Sequence, residues 1–307
     1  MRIERRVERS DRAHFLISFG VPDSLLLVLP ALIWGASYLF IAEGLDAIAP
    51  AGVTFVRILV GFLTISLFPA VRRPIRAEDR WATAALGVFW MAFPLSMFPF
   101  AEQHVSSALT GMLSGATPLF VAAVASVLAR RAPARALVAG LTVGFLGTML
   151  IGLPNPNATE GAGSQTLGVV LIVAAMVSYG VAYNIARPLQ QRNGALPVVW
   201  RALGVALILT APFGIPALFT AHWTWRPAAA LVALGVGGTG LAFVMTATAA
   251  GRMGATAASS INFYVPVVAL ALGVGLRGER VSGISIAGAA VCLGGASLIR
   301  RAQLAGT

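Results

Sequence analysis

The sequence predicts an all-α integral membrane protein with ten transmembrane helices, arranged as two inverted five-helix repeats. Three observations support this fold class. The 307 residues are 58% hydrophobic and only 11% charged, with a mean hydropathy of +0.84, whereas soluble domains are about 25% charged. The apolar residues form runs close to the roughly 20 residues that cross a bilayer as a helix. The two halves of the chain also resemble each other.

The apolar runs define the predicted spans, and within them only Arg57 and Arg201 are charged. Glycine and proline interrupt many of the runs, as membrane helices allow. The predicted spans are 25–42, 51–71, 82–101, 106–129, 136–153, 165–186, 196–219, 227–250, 255–276 and 281–299.

The arginines predict the orientation. All 22 basic residues are arginine, which is typical of a GC-rich bacterial genome. Both termini and the connectors on one side carry 17 of them, and the connectors on the other side carry three. Because cytoplasmic connectors carry the basic excess, we predict a multi-pass protein of the bacterial inner (plasma) membrane with cytoplasmic termini. The same placement argues against nucleic acid as the partner of a chain with net charge +11.

An internal repeat divides the chain. At a constant offset of 148, residues 101–151 align with 249–299 without a gap, and Pro118 then matches Pro266. Upstream the match is looser, with Tyr38 near the position of Tyr183 and Arg57 near that of Arg201. Because each half has five spans, an odd number, the second half must insert upside down. Such inverted repeats are typical of secondary transporters with a midplane site.

These patterns predict the domain organisation. The parts are a cytoplasmic N-terminal tail without a cleaved signal peptide (1–23), a first repeat (24–153), an external connector (154–164), a second repeat (165–300) and a C-terminal tail (301–307).

Several motifs resemble the drug/metabolite transporter superfamily, EamA type. They are the W-G-x-S pattern at 34–37, Pro50 before the second span, an arginine within it, and small-residue stretches with a proline at 106–131 and 256–280. The resemblance covers about 24–300 and implies export or exchange of small metabolites by alternating access. One departure is that the second stretch ends in Gly278-Glu279 but the first in Arg130-Arg131, so we interpret both turns as topology and helix-end features.

Polar and aromatic residues inside the spans are candidates for binding a small-molecule substrate, because a polar group facing lipid would be left unpaired. Arg57 and Arg201 are the sharpest features, as anion-binding or gating residues, although an arginine at this depth can also snorkel or bond a neighbouring helix. The candidates are Trp34, Ser37, Tyr38, Arg57, Trp90, Phe93, Ser114, Tyr179, Tyr183, Asn184, Asn262 and Tyr264, with Ser96, Thr117 and Ser260 as further ones. Pro118 and Pro266 are predicted to be helix kinks.

The sequence indicates no enzyme, metal site or cofactor. It has one cysteine, three scattered histidines and no phosphate-binding Gly-Lys motif. The spans contain no carboxylate, which favours a facilitator or exchanger, although Glu43 or Glu102 at the external edge could still serve coupling. Two alternatives stay open, namely a membrane-embedded enzyme acting on lipid or prenyl substrates and a non-transporting subunit. Besides the substrate and the bilayer, we expect no partner other than a second copy of the chain. The protein is predicted to be a monomer or a weak homodimer.

Overall fold

The computed structural model describes residues 22–128, 130, 135–151, 162–253, 258–259, 262 and 264–305. The regular elements of these residues are all helical. The predicted tail up to residue 21, most of the connector 154–164 and the candidate Ser260 lie outside the described residues.

The helices follow the predicted spans in order. They are α1 (Asp23–Leu45), α2 (Pro50–Ser66), α3 (Arg80–Leu86), α4 (Phe93–Ala101), α5 (Ser107–Ser114), α6 (Thr117–Leu128), α7 (Arg135–Ile151), α8 (Ala162–Asn193), α9 (Ala195–Leu218), α10 (Trp225–Ala233), α11 (Ala242–Met253), α12 (Val265–Arg277) and α13 (Gly283–Ala305). Short 3₁₀ turns at Pro69–Arg72 and Ala77–Asp79 lie between α2 and α3.

Six helical stretches of the described chain are long and apolar enough to cross a membrane. They are Asp23–Leu45, Ala77–Ala101, Ser107–Leu128, Ser164–Asn193, Ala195–Leu218 and Trp225–Met253. Three shorter apolar helices, at Pro50–Ser66, Val265–Arg277 and Gly283–Gly295, also occur. The chain is therefore a multi-pass membrane protein.

Local sequence sets where several of these helices begin and end. Pro50 opens α2, where its missing N–H costs nothing and its fixed φ suits a first turn. Ser106 caps α5, because its hydroxyl accepts a hydrogen bond from the Leu109 N–H at 3.2 Å. Gly278 ends α12 in the left-handed conformation, with φ 65°, that glycine adopts without a Cβ penalty.

Interruptions of the helices recur at matching positions in the two halves. A first π segment, Gly87–Ala92, joins α3 to α4, and a second, Leu234–Leu241, joins α10 to α11. The 148-residue offset places Gly87 on Gly235, inside the second segment. The same offset places Thr117, which begins α6, on Val265, which begins α12.

Helices of the first half pack mainly on helices of the second half. Extensive contacts between the halves are those of α7 with α13, α2 with α9, α2 with the second π segment, α6 with α8, α5 with α12, and α4 with α8. Some contacts come in matching sets, since α1 packs on α12 and α11 as α8 packs on α6 and α4. The central residues of both halves therefore face one shared interior.

Glycines bring the π segments close to the helices beside them. A Cβ on Gly235 would lie 2.4 Å from Val60 Cβ, and a Cβ on Gly87 would lie 2.6 Å from Val205 Cβ. Because real Cβ atoms do not approach so closely, only glycine permits these contacts. The second π segment is thereby held against α2 next to Arg57.

Candidate functional site

A cavity lies where the two halves meet. Its wall comes from α1, α2, α4, α8, α11, the first π segment and the connector before α12. The lining residues are Trp34, Ser37, Tyr38, Ile41, Arg57, Trp90, Leu95, Phe98, Tyr179, Tyr183, Phe243 and Asn262.

Aromatic rings make up most of the wall and hold one another in edge-to-face contacts. The Trp90 ring lies 5.4 Å from the Phe243 ring and 5.6 Å from the Tyr183 ring. On the other side, the Phe98 ring lies 5.5 Å from the Tyr38 ring. Aromatic pairs prefer such arrangements, so the cavity presents a largely apolar surface.

Arg57 brings a positive charge into this wall. Only 3% of the residue is exposed. Its Nε donates a hydrogen bond to the Thr239 hydroxyl at 3.1 Å, while its Nη1 is buried without a partner. No carboxylate of the described residues forms an ion pair with it. Burying a cation in this way is costly unless an anion joins it, so the site is suited to bind one.

The second π segment supplies the two groups that shape the cationic end of the cavity. The Gly238 carbonyl accepts a hydrogen bond from Trp34 Nε1 at 2.8 Å, and Thr239 holds Arg57. A π turn departs from the regular helical hydrogen-bond pattern, and such turns are frequent at functional sites. Here two consecutive residues of the π segment, Gly238 and Thr239, orient the Trp34 ring and the Arg57 guanidinium.

Two tyrosines face polar residues beside the breaks that precede α6 and α12. The Tyr38 hydroxyl interacts with the Ser114 side chain, and the Tyr183 hydroxyl lies beside Asn262. Ser114 and Asn262 are related by the 148-residue offset. The Tyr183 hydroxyl has no partner at bonding distance and angle among the described residues, so a ligand could receive its hydrogen bond.

The chain matches a family model twice, over residues 23–153 and 166–301, as an EamA-like transporter. It belongs to the EamA-like transporter family. The double match means that each half of this transporter is one copy of the family domain. The resemblance seen in the sequence motifs is thus confirmed, and the protein is a membrane transporter.

Relatives and a solved structure resemble this transporter over nearly their whole length. A "Probable terminal-alkyne amino-acid exporter" of Streptantibioticus cattleyicolor is 27% identical, covering 91% of this chain and 93% of its own. A "Probable amino-acid metabolite efflux pump" of Salmonella typhimurium is 24% identical, covering 89% and 93%. A crystal structure with a TM-score of 0.63 is 21% identical and covers 91% of this chain and 98% of its own. That structure supports the fold alone.

The structure gathers eight of the twelve candidate residues around the cavity of the transporter. They are Trp34, Ser37, Tyr38, Arg57, Trp90, Tyr179, Tyr183 and Asn262. Ser37 also donates a hydrogen bond to the Ile33 carbonyl within its own helix. That these residues bind substrate stays a prediction.

The other four candidates lie away from the cavity wall. Phe93 and Tyr264 are 40% and 58% exposed, on the outer surface of the bundle. Ser114 lies behind Tyr38, and its hydroxyl donates to the Gly111 carbonyl at 2.7 Å. Asn184 joins two helices, because its amide donates to the carbonyls of Val121 and Gly180. The further candidates Ser96 and Thr117 donate to carbonyls of their own spans.

Four apolar lining residues were not among the candidates: Ile41, Leu95, Phe98 and Phe243. The repeat contains a signal for them, since the 148-residue offset pairs Leu95 with Phe243. Phe98 follows Leu95 by about one helical turn, so both face the same side. Pro118 and Pro266 stand in the first turns of α6 and α12, immediately after the helix breaks.

Arg201, predicted together with Arg57 as an anion-binding or gating residue, does not line the cavity. Its Nη1 donates to the Val71 and Pro197 carbonyls at 3.2 and 3.0 Å, and its guanidinium lies over the Trp200 ring. The glycine contacts explain the difference. Gly235 approaches the Arg57 carbonyl and Gly87 the Ala202 carbonyl, so Ala202 occupies the position that matches Arg57.

Replacing Thr239 tests whether the π segment positions Arg57. We expect Thr239→Val to weaken apparent substrate affinity about 3–10-fold with little change in maximal rate, because it removes one hydrogen bond to a charged group. Initial rates of uptake into proteoliposomes over a range of substrate concentrations measure both quantities. The control is Thr248→Val, whose hydroxyl donates only to the Val244 carbonyl. Equal affinities for both variants would show that Thr239 does not position the cation.

Proposed function

We propose that this chain is a secondary transporter of the bacterial inner (plasma) membrane that exports or exchanges small amino-acid-like or amphipathic metabolites carrying a carboxylate. The observation that carries the proposal is the buried Arg57 guanidinium, which has an unpartnered nitrogen in a cavity walled by aromatic rings. In this proposal the transporter works by alternating access, and both of its termini are cytoplasmic.

The chemistry of the cavity favours a ligand with one anionic end. A guanidinium binds a carboxylate through charge-assisted hydrogen bonds that are about twice as strong as neutral ones. The Trp34, Trp90 and Phe243 rings offer apolar surface for the rest of the molecule. A largely apolar wall with a few oriented polar groups is the usual composition of a small-molecule site.

The arrangement of the two halves supports alternating access. We infer ten spans in two inverted five-helix repeats, since the family domain occurs twice and the π segments and helix breaks recur at one offset. Inverted repeats give two similar arrangements around one site, each open to a different side of the membrane. The cavity lies where the two halves meet, as this mechanism requires.

The names of two relatives support amino-acid-like substrates. Two of the relatives are named as exporters of amino acids or their metabolites. An amino acid has the carboxylate that Arg57 would bind. A hydrophobic side chain would then lie against the aromatic wall.

Counterflow in proteoliposomes tests the function. Vesicles containing only this protein and a high internal concentration of an unlabelled amino acid are given a trace of the same amino acid carrying a radiolabel. We expect transient accumulation of label for amino acids with apolar side chains. Methyl esters of the same amino acids, which lack the carboxylate charge, should compete at least about 10-fold less well. No accumulation for any amino acid, or equal competition by the esters, would contradict the proposal.

A further inference from the structure

Glu102 is a buried carboxyl group that the proposed substrate site does not use. It follows the end of α4 at Ala101 and lies in the connector before α5, which is predicted to be external. Both carboxyl oxygens are buried and have no hydrogen-bond partner among the described residues. Buried carboxylates are normally paired or hydrogen-bonded, so this one calls for an explanation.

A second carboxylate at the same end of the bundle is fully engaged. Glu279 accepts hydrogen bonds from the Ser107 N–H at 3.2 Å, the Ser107 hydroxyl at 2.6 Å and the Ala108 N–H at 2.8 Å. These donors are the N-terminus of α5, where the helix dipole favours a negative charge. The contact joins the turn after α12 in one half to α5 in the other, and it is called the Glu279 latch below.

Charged and titratable groups surround Glu102 from each neighbouring element. The Glu279 carboxylate repels its ionised form, while Arg57 on α2 and Arg277 on α12 attract it. Arg277 is already paired with Glu43 at 2.9 Å and with Asp46 at 3.1 Å. The Tyr38 hydroxyl on α1 lies close enough to Glu102 for an electrostatic interaction. His104 in the same connector is bonded to Ser164.

The balance of these effects favours the neutral acid. Burial, and then the neighbouring Glu279 charge, raise the pKa of Glu102 well above its usual range. The structure also distinguishes Glu43 from Glu102, the two acids that the sequence left as candidates for ion coupling. Glu43 is ion-paired with Arg277, whereas Glu102 has no described partner.

We propose that Glu102 is the proton-binding site of this transporter, and that its carboxyl group takes up one proton when the Glu279 latch closes the external end. This rests on the proposed transport function. When the latch opens, water reaches both carboxyl groups, and the proton on Glu102 returns to that water, leaving a carboxylate. Closure reverses the step, so one O–H bond forms for each closing and breaks for each opening.

The sign of the pH dependence follows from this exchange. Between the usual pKa of a carboxyl group, about 4.3, and the raised value in the closed form, closing takes up a proton. Acid therefore favours the closed external end, and alkali favours the open one. For one proton, the ratio of open to closed forms rises by up to about tenfold per pH unit within that window.

Labelling of a buried thiol measures this ratio without any substrate. Cys292 is replaced by serine, and Val105→Cys is introduced between Glu102 and the latch, where the native side chain is only 8% exposed. A membrane-impermeant maleimide is applied from outside at several pH values. Each rate is divided by the rate for the unfolded protein at the same pH, which removes the titration of the thiol itself.

The proposal gives an expected profile for each of four proteins. The parent and the matched control Glu43→Gln should show the rise of up to about tenfold per pH unit. Glu102→Gln, which keeps a neutral side chain of the same size, should label slowly with a flat profile. Glu102→Asp, which keeps the carboxyl group, should keep a rising profile. It provides the test if the glutamine variant does not fold. A flat profile for the parent, or a rising one for Glu102→Gln, would overturn the proton site. Neither result depends on the counterflow assay, so failure of the proposed function would be seen separately.

Discussion

Arg57→Gln should reduce counterflow of carboxylate substrates by about 10–100-fold, which is the range for losing a charged hydrogen bond of about 1.5–3 kcal/mol. The reason is that Arg57 is the one cation lining the described cavity and has a nitrogen free to bind. Glutamine retains a donor for Thr239 but removes the charge. The loss should appear mainly in apparent affinity and should be small for the methyl esters.

Stability should change in the opposite sense to activity. Removing a buried charge that has no anionic partner relieves a desolvation cost. The thermal unfolding midpoint of Arg57→Gln should therefore be equal to or higher than that of the parent. Loss of transport without loss of stability is the pattern expected when a residue is kept for function.

Arg201→Gln is the matched control. It removes a guanidinium at a similar depth in the partner helix, but one that bonds the Val71 and Pro197 carbonyls outside the cavity. We expect near-parent counterflow and a modest loss of stability. Equal transport defects in both variants would mean that the effect of Arg57 is a general consequence of removing an arginine within a span.

The spans and the general position of the site could be predicted because they depend on local composition. Runs of apolar residues gave helices in the expected order, and mid-span polar or aromatic residues such as Trp34, Tyr183 and Asn262 do line the cavity. The reason is physical, because a polar group on a membrane helix must turn away from lipid. Phenylalanine has no polar group and so lacks that constraint, and the Phe93 ring faces outward.

Local composition could not predict which residues of the second and seventh spans occupy matching positions in the two repeats. Arg57 and Arg201 are one position out of match, since the close glycine contacts pair Arg57 with Ala202. One residue turns a side chain by about 100° on a helix, which is enough to move Arg201 from the cavity to the carbonyls beside it. The looser alignment upstream of residue 101 concealed this difference.

Contacts between distant turns were equally hidden. Gly278 does end α12, as a helix-end feature should. Glu279, however, was assigned no further role, because the first half has Arg130-Arg131 at the matching turn. The structure shows that its carboxylate caps α5. A partner 172 residues away cannot be read from the charge of a turn.

Gly235→Val should lower the thermal unfolding midpoint and abolish most transport. The Cβ alone would lie 2.4 Å from Val60 Cβ and 3.2 Å from the Arg57 carbonyl. Inserting a larger side chain into such a contact typically costs about 1–3 kcal/mol. Relief requires the second π segment to move away from α2, and that movement would separate Thr239 from Arg57. Thermal unfolding in detergent and counterflow in proteoliposomes measure the two effects.

Gly275→Val separates this contact from a general effect of valine in a membrane helix. A Cβ on Gly275 meets no atom within 4 Å in the described part of the chain, so valine there should leave both the midpoint and the transport rate near the parent values. The symmetric position provides a further contrast. Gly87→Val would clash with Val205 at 2.6 Å but lies on the side without a cavity arginine. We expect a similar loss of stability from Gly87→Val, with a smaller loss of affinity for carboxylates. If Gly235→Val is as stable as Gly275→Val, the close approach that holds Arg57 in place does not exist in solution.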